Sequence, residues 1–259
     1  MTVPVLFINR DSDATRREAF LDSCFENAVA ARRIQALDRL DSAALAAESR
    51  LLPDSFWESP EIKPGAFACF LSHRRAWEAV AFGDAPWALV CEDDALLEAS
   101  ERVISAHAGQ AARMDLDLVW CGARACTQRD SLRPMAAGGF SDAVEFAADR
   151  AAGPPRDGGR APGAEALLVS RRGAHRMLAL TEADRCCAGV DWLLLYHCWD
   201  GRGAAPVAPE MAGLARMLGL GAPALRAAVA PEPLARISGA PSVLRHREAL
   251  PIARLAGTA

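Results

Sequence analysis

The chain has 259 residues, of which 29 are basic and 33 acidic, so its formal net charge is −4. A chain so close to neutral lacks the basic surface that a nucleic-acid polymer requires, which excludes nucleic acid as a general partner. Hydrophobic residues make up 51% of the sequence and exclude a disordered chain, yet no window reaches the roughly 18 uninterrupted apolar residues of a membrane span.

The first predicted element is a strand over the apolar run from Val3 to Ile8. A polar loop with Asn9 and Arg10 follows it, and the capping residues of this loop predict a helix over about 15–27. A second strand is predicted over 33–37. The sequence begins without the basic start and small-residue cleavage site of a signal peptide, so we expect a cytoplasmic protein.

A helix is predicted over 41–50, and a Pro-Gly pair at Pro64 opens another whose two apolar stripes predict burial on most of its circumference. His73 lies on one stripe, where a histidine is either a satisfied core residue or a ligand. Arg74 is either a binding residue or the ion-pair partner of Glu78, one turn away.

The strand predicted over 87–91 ends in three acidic residues, Glu92, Asp93 and Asp94. Ligands of open parallel sheets bind beyond the carboxyl ends of the strands. Three successive carboxylates repel one another unless a cation offsets their charge. The triplet therefore predicts either a site for a hard divalent ion or a solvated turn with a helix-capping aspartate.

Further strands are predicted over 116–121 and 165–170, the second followed by a helix to about residue 180. The Gly- and Pro-rich stretch over about 136–164 is interpreted as a long mobile insert. Asp191 precedes an apolar run, where it is either a helix cap or an active-site base.

Short strands alternating with helices predict an α/β fold with a mostly parallel central sheet. We expect one domain over 1–200 and an Ala- and Pro-rich, partly helical extension over 201–259. Neither a dinucleotide-binding nor a P-loop fingerprint is present. The eight cysteines lack a repeated C-x-x-C spacing and are interpreted as free, mostly apolar-packed thiols.

Four blocks, taken in order, resemble glycosyltransferase family 25, the bacterial lipooligosaccharide galactosyltransferases and their collagen-modifying relatives. The first is the opening strand with its Asn-Arg loop, and the second is the Pro-Gly helix with its Ser-His and Ala-Trp pairs. The third is the strand that ends in Glu-Asp-Asp, and the fourth is the later strand with its Ser-Arg-Arg-Gly-Ala turn and a subsequent Val-Asp pair. These blocks lie at 7–20, 63–77, 88–95 and 163–174, with Val190 and Asp191 after them.

The resemblance implies a GT-A-type nucleotide-sugar fold and an inverting transfer from a UDP-sugar, typically UDP-galactose, to a hydroxyl of a cell-surface glycan. Mn²⁺ or Mg²⁺ on the acidic triplet would bridge the diphosphate, and a general base would take the acceptor proton. The residues implied are Glu92, Asp93 and Asp94 for the metal, Asp191 for the base, and Asn9, Arg10, Arg16, His73 and Arg74 for the donor.

Two alternatives stay open at the level of the sequence. One is a non-catalytic nucleotide-sugar-binding or scaffold protein that kept the fold. The other is a transferase acting on a protein or peptide hydroxyl instead of a glycan or lipid-linked saccharide in lipopolysaccharide synthesis. Peripheral contact with the inner face of the cytoplasmic membrane is also left open, because the arginines over 202–247 are scattered.

Overall fold

The structure is a computed structural model that describes residues 2–52, 64–127, 135, 139–151, 163–185, 188–201, 209–219 and 223–238. The strands are β1 (Val5–Asn9), β2 (Ala31–Gln35), β3 (Trp87–Glu92), β4 (Ala95–Leu97), β5 (Leu118–Trp120), β6 (Ser141–Asp142), β7 (Ala166–Ser170), β8 (Ala227–Val229) and β9 (Ala235–Ile237). The helices are α1 (Ala14–Glu26), α2 (Ser42–Ala47), α3 (Pro64–Ala81), α4 (Glu101–Arg113), α5 (Ala123–Cys126), α6 (Ala143–Ala151), α7 (Arg171–Asp184), α8 (Val190–Tyr196) and α9 (Pro209–Leu218), with a 3-10 turn at Ser49–Leu51.

A central sheet of seven strands has the order β2-β1-β3-β7-β5-β8-β6. β1 is parallel to β2 and β3, and β8 is parallel to β5, whereas β7 runs antiparallel to both of its neighbours and β6 runs antiparallel to β8. Five strands therefore point one way and two the other. The predicted α/β class with a mostly parallel sheet is confirmed, and the fully buried β1, β5 and β7 are the continuous apolar runs expected of inner strands.

α3 is buried on most of its circumference from Phe67 onward, as its two apolar stripes predict. Its main neighbour is α7, and it also contacts β1 and β2. Ser72 on this helix donates its hydroxyl to the Ala68 carbonyl oxygen at 2.6 Å and accepts the Leu37 amide at 2.9 Å. The bond from the Leu37 amide fixes α3 against the chain that leaves β2.

The predicted mobile insert over 136–164 contains regular structure, because β6 and α6 lie within it. Phe140 and Phe146 are almost fully buried, and the Phe146 ring meets Trp120 of β5 edge-on at 6.3 Å. Burial of these rings stabilises the segment, which the Gly and Pro content of the sequence obscured. Residues 136–138 and 152–162 of the insert lie outside the described residues.

The chain after residue 200 contributes to the same sheets as the chain before it. β8 is hydrogen-bonded between β5 and β6 in the central sheet, and β9 pairs with β4. The boundary predicted at residue 200 therefore does not separate two structural units among the described residues. Within the described part of the extension predicted over 201–259, α9 is the helical element, and β8 and β9 are strands.

Of the six cysteines in the described part of the chain, Cys69 is partly exposed and the other five are buried. Cys186 and Cys187 lie outside the described residues. No helix in the described ranges combines the length and the apolar character needed to cross a membrane.

Candidate functional site

An open cavity lies at the carboxyl ends of β1 and β3. These two strands are parallel neighbours, so the loops that follow them meet at one edge of the sheet, and α3 forms a wall. The space within the cavity, counted out to the solvent, is about 660 Å³. Seven of the predicted site residues line it: Asn9, Arg10, Arg16, His73, Glu92, Asp93 and Asp94.

Asp93 is held from two sides. Its Oδ2 accepts a hydrogen bond from Asn9 Nδ2 at 2.8 Å, and its Oδ1 pairs with Arg16 Nη1 at 3.0 Å. Burial raises the pKa of Asp93, while the bonds from Asn9 and Arg16 oppose that shift. The amide of Asn9 also donates to the Asp13 carbonyl oxygen, and its own Oδ1 is buried without a hydrogen-bond partner. Asp93 therefore fixes the loops after β1 and β3 to each other.

Arg10 is fixed at the mouth of the same cavity. Its Nε and Nη2 donate to the two carboxylate oxygens of Asp13 at 2.7 and 3.1 Å, and Nη1 donates to Asp38 at 3.1 Å. The planar guanidinium is thus oriented before any ligand binds, which reduces the entropy lost when an anion is bound.

His73 and Glu92 form a contact between α3 and β3. His73 Nε2 lies 3.0 Å from Glu92 Oε1, and the His73 side chain is 1% exposed while that of Glu92 is 30% exposed. Burial raises the pKa of Glu92, but His73, Arg124 and Arg16 together outweigh burial and hold the pKa below its usual value. Glu92 therefore stays ionised at neutral pH.

Asp94 differs from Asp93 in having an oxygen to spare. Its Oδ1 is buried and makes no hydrogen bond. Burial and the negative charge of Glu92 raise the pKa of Asp94 to about 6. A cation beside this carboxylate would relieve both effects, because it stabilises the ionised form.

Glu165, which sequence reasoning did not select, belongs to the same acidic group. Its Oε1 accepts the Arg124 amide at 2.9 Å, its Oε2 is buried without a partner, and burial raises its pKa to about 7. Gly163, with a φ of +78°, and Gly122 leave room for it, since a Cβ at either glycine would lie within 2.5 Å of the Glu165 side chain. The signal in the sequence was a lone acid at the start of an apolar strand, two residues after a glycine.

Asp191 lies in the first turn of α8 and does not line the cavity. Its Oδ1 accepts the Trp192 amide at 2.9 Å, the bond expected of an acid at a helix start. Burial and, to a smaller extent, the charge of Glu92 raise its pKa.

Arg74, expected from the resemblance to approach the donor, points elsewhere. It donates to the Leu178 carbonyl oxygen, to Thr181 Oγ1 and to Glu182, all on α7, and does not line the cavity. The donor-binding expectation for Arg74 is therefore corrected: consecutive helical residues face different directions, and His73 rather than Arg74 faces the cavity. Its ion-pair partner is Glu182, not Glu78.

One family model matches part of the chain. The model described as glycosyltransferase family 25 (LPS biosynthesis protein) matches residues 2–121, which include the first three of the four blocks that resemble this family, and it supports a glycosyltransferase. No curated protein sequence matches the chain.

Solved structures similar to the chain include two of a galactosyltransferase and one of a xylosyltransferase. Galactosyltransferase LgtC in complex with donor and acceptor sugar analogues has a TM-score of 0.42 at 12% identity, covering 98% of this chain and 94% of the other. An active-site mutant of LgtC has a TM-score of 0.39 at 10% identity and the same coverage. Mouse xyloside xylosyltransferase 1 has a TM-score of 0.37 at 10% identity, covering 87% of this chain and 78% of the other. Likenesses this distant carry no argument about the site.

Proposed function

We propose that the protein is an inverting, metal-dependent glycosyltransferase. It transfers a sugar, which we take to be galactose, from a UDP-sugar to a hydroxyl of a cell-surface glycan acceptor. The observation that carries the proposal is the pairing of opposite charges in one cavity. Two oriented arginines, the partly exposed Glu92 and Asp94 with its unpaired oxygen lie together at the carboxyl ends of β1 and β3. A diphosphate that arrives with a divalent cation needs both kinds of group.

The donor half of the cavity is the loop after β1 with the start of α1. Arg10 is held by Asp13 and Asp38, and Arg16 is held by Asp93. Both guanidinium groups therefore have fixed positions in the wall of the cavity, which stays open. The free Oδ1 of Asn9 supplies a buried hydrogen-bond acceptor beside them. We assign the nucleotide diphosphate to this half, with His73 on the opposite wall.

The carboxylate ligands of the triplet suit a hard divalent ion such as Mn²⁺ or Mg²⁺. Of the triplet, Glu92 and Asp94 have oxygens available, whereas both oxygens of Asp93 are engaged by Asn9 and Arg16. In this proposal Glu92 and Asp94 hold the ion, and Asp93 fixes the loop that carries them. When bound, the ion would neutralise the charge that develops on the leaving diphosphate.

Inversion requires a base that takes the acceptor proton as the hydroxyl attacks the anomeric carbon. We assign this role to Asp191, whose pKa is raised by burial and by Glu92 and which is therefore a stronger base than a solvated aspartate. The acceptor is expected to be a glycan or lipid-linked saccharide, and the reaction to take place on the inner face of the cytoplasmic membrane.

The deciding experiment is a screen of UDP-sugars with Mn²⁺, read by release of UDP, on the wild type and Asp94→Ala. Loss of the metal ligand is expected to lower Mn²⁺-supported turnover at least about 100-fold, the scale on which transition-state charge is stabilised, while the melting temperature does not fall. Asp22→Ala, which removes an exposed acid of α1, is the matched control.

Two outcomes would overturn parts of the proposal. Equal turnover in wild type and Asp94→Ala removes Asp94 from the metal site. Binding of UDP and Mn²⁺ by calorimetry without transfer to any glycan, lipid-linked or peptide acceptor, and without donor hydrolysis, contradicts a catalytic role for this cavity. Transfer to a peptide alone would replace the glycan acceptor.

A further inference from the structure

Three side chains of different chemistry meet on the α3 side of the cavity. Cys69 and His73 are one turn apart and share a face of the helix, and Glu92 reaches them from the end of β3. The thiol, imidazole and carboxylate ligand atoms all lie within 4.8 Å of one another. Among the residues that the structure describes, these three form the group of His, Cys, Asp or Glu side chains whose ligand atoms lie this close together.

The spacing of these atoms suits a small cation. Ligand atoms around a tetrahedral Zn²⁺ are about 3.5 Å apart, given metal–ligand distances of about 2.0–2.3 Å. His73 Nε2 and Glu92 Oε1 are already 3.0 Å apart. Because the three ligand atoms lie within 4.8 Å of one another, shifts of about 1 Å would bring them to this spacing.

The side chains are also available to an ion that enters the cavity. Cys69 and Glu92 are partly exposed and line the cavity, as His73 does. The second ring nitrogen of His73, Nδ1, is buried without a hydrogen-bond partner, so no backbone carbonyl holds the ring in one tautomer. An ion bound to the imidazole would replace the contact between His73 Nε2 and Glu92.

We propose that Cys69, His73 and Glu92 form a site for a borderline-soft divalent cation of the Zn²⁺ class, distinct from the hard-cation site assigned to Glu92 and Asp94. Thiolate and imidazole ligands favour Zn²⁺ and Co²⁺ over Mg²⁺ and Mn²⁺. Three protein ligands leave a fourth position for water or an anion. Cys69, interpreted from the sequence as a packing residue, is the ligand that sets this preference.

The site has a consequence for activity that rests on the proposed function. Glu92 serves both cation sites, so Zn²⁺ on Cys69 and His73 would remove a carboxylate from the Mn²⁺ site. The two ions therefore exclude each other, and Zn²⁺ inhibits Mn²⁺-supported turnover.

Binding is tested on the full chain after treatment with a chelator, by titration with Co²⁺ and then Zn²⁺. We expect one Co²⁺ per chain with a thiolate-to-cobalt charge-transfer band in the near ultraviolet, and bleaching of the band by Zn²⁺. Cys69→Ser should lose the band and bind Zn²⁺ at least tenfold more weakly, whereas Cys24→Ser, which alters a buried cysteine of α1, should keep both. The melting temperature of each variant without metal verifies folding.

A band that survives in Cys69→Ser, or no band in the wild type, overturns the site whatever the activity. The second measurement is inhibition of UDP release by Zn²⁺ at fixed Mn²⁺, expressed relative to the rate of each variant without Zn²⁺. Inhibition is expected to weaken at least tenfold in Cys69→Ser, and equal inhibition in both proteins overturns the competition. Absence of UDP release in every sample contradicts the proposed function and leaves the cobalt result standing.

Discussion

Two clusters built around buried acids lie at opposite ends of the central strands and differ in how fully the acids are paired. Asp117 precedes β5 and is completely buried. Its Oδ1 accepts Arg172 Nε at 2.7 Å, and its Oδ2 accepts both Arg176 Nη1 at 2.6 Å and the Arg226 amide at 3.0 Å. Asp117 thereby joins β5, α7 and the chain that enters β8.

The cluster after β3 contrasts with that arrangement. Asp94 Oδ1 and Glu165 Oε2 are buried without hydrogen-bond partners, and burial raises the pKa of both groups. An unpaired buried oxygen costs free energy of folding, so its presence needs an explanation outside folding. A buried acid whose oxygens are all hydrogen-bonded therefore indicates a structural role, whereas carboxylate oxygens without partners in a cavity indicate that a ligand can bind there.

The largest expected effect tests the structural cluster. Asp117→Ala leaves Arg172 and Arg176 without their buried acceptor and the Arg226 amide unpaired. We expect the free energy of unfolding to fall by roughly 3 kcal/mol, the scale for breaking a buried pair, as measured by urea denaturation. Asp115→Asn, which neutralises an exposed acid that pairs with Arg172 and Arg226 and tolerates the positive φ at this position, should cost clearly less. Equal costs would remove the distinction.

The next largest effect is expected for a substitution of Glu165, which should raise the free energy of unfolding instead of lowering it. Its pKa is about 7 in the folded chain and about 4.3 in an unfolded one, so its protonated form is the one that folding favours. This contribution to stability is present below pH 4.3 and is lost as the pH rises through 7. Glu165→Gln keeps an acceptor for the Arg124 amide and does not ionise.

We therefore expect Glu165→Gln to be more stable than the wild type by roughly 2 kcal/mol at pH 8 and to lose most of that advantage at pH 5. Urea denaturation at both pH values, with a chelator present, measures the difference. Subtraction of wild type from variant removes the contribution of Asp94, which titrates in the same direction. A difference that does not change with pH contradicts the raised pKa and with it the contrast between the clusters.

The fold was predictable where the hydrophobic pattern was long and continuous. β1, β3 and β7 are uninterrupted apolar runs, and α3 has large apolar residues at helical spacing, so their existence and order followed from the sequence. β6, α6 and β8 are short and rich in alanine or polar residues. Their structure depends on contacts with β5 and with one another, and no local pattern carries that information.

The candidate site was predictable in its position but not in its pairing. Three acids at the carboxyl end of a strand indicated the end of the sheet at which the cavity lies. Which acid retains a free oxygen depends on Asn9 and Arg16, 84 and 77 positions from Asp93, and on where their side chains point. Glu165 joins the cluster through the antiparallel pairing of β7 with β3, a topology that the sequence did not indicate.

The smallest effect separates two arginines that sequence reasoning grouped together. Arg74 is paired on α7, as Asp117 is paired on its side of the sheet, whereas Arg16 lines the cavity and holds Asp93. Arg74→Met should lower the free energy of unfolding by roughly 1 kcal/mol and change the Kd for UDP with Mn²⁺ less than twofold, as measured by calorimetry. Arg16→Met should weaken that binding at least tenfold, because an oriented charge beside the diphosphate is lost and Asp93 is released. If Arg74→Met weakened binding as strongly as Arg16→Met, the region around α7 would belong to the site, and full pairing would no longer mark a purely structural residue.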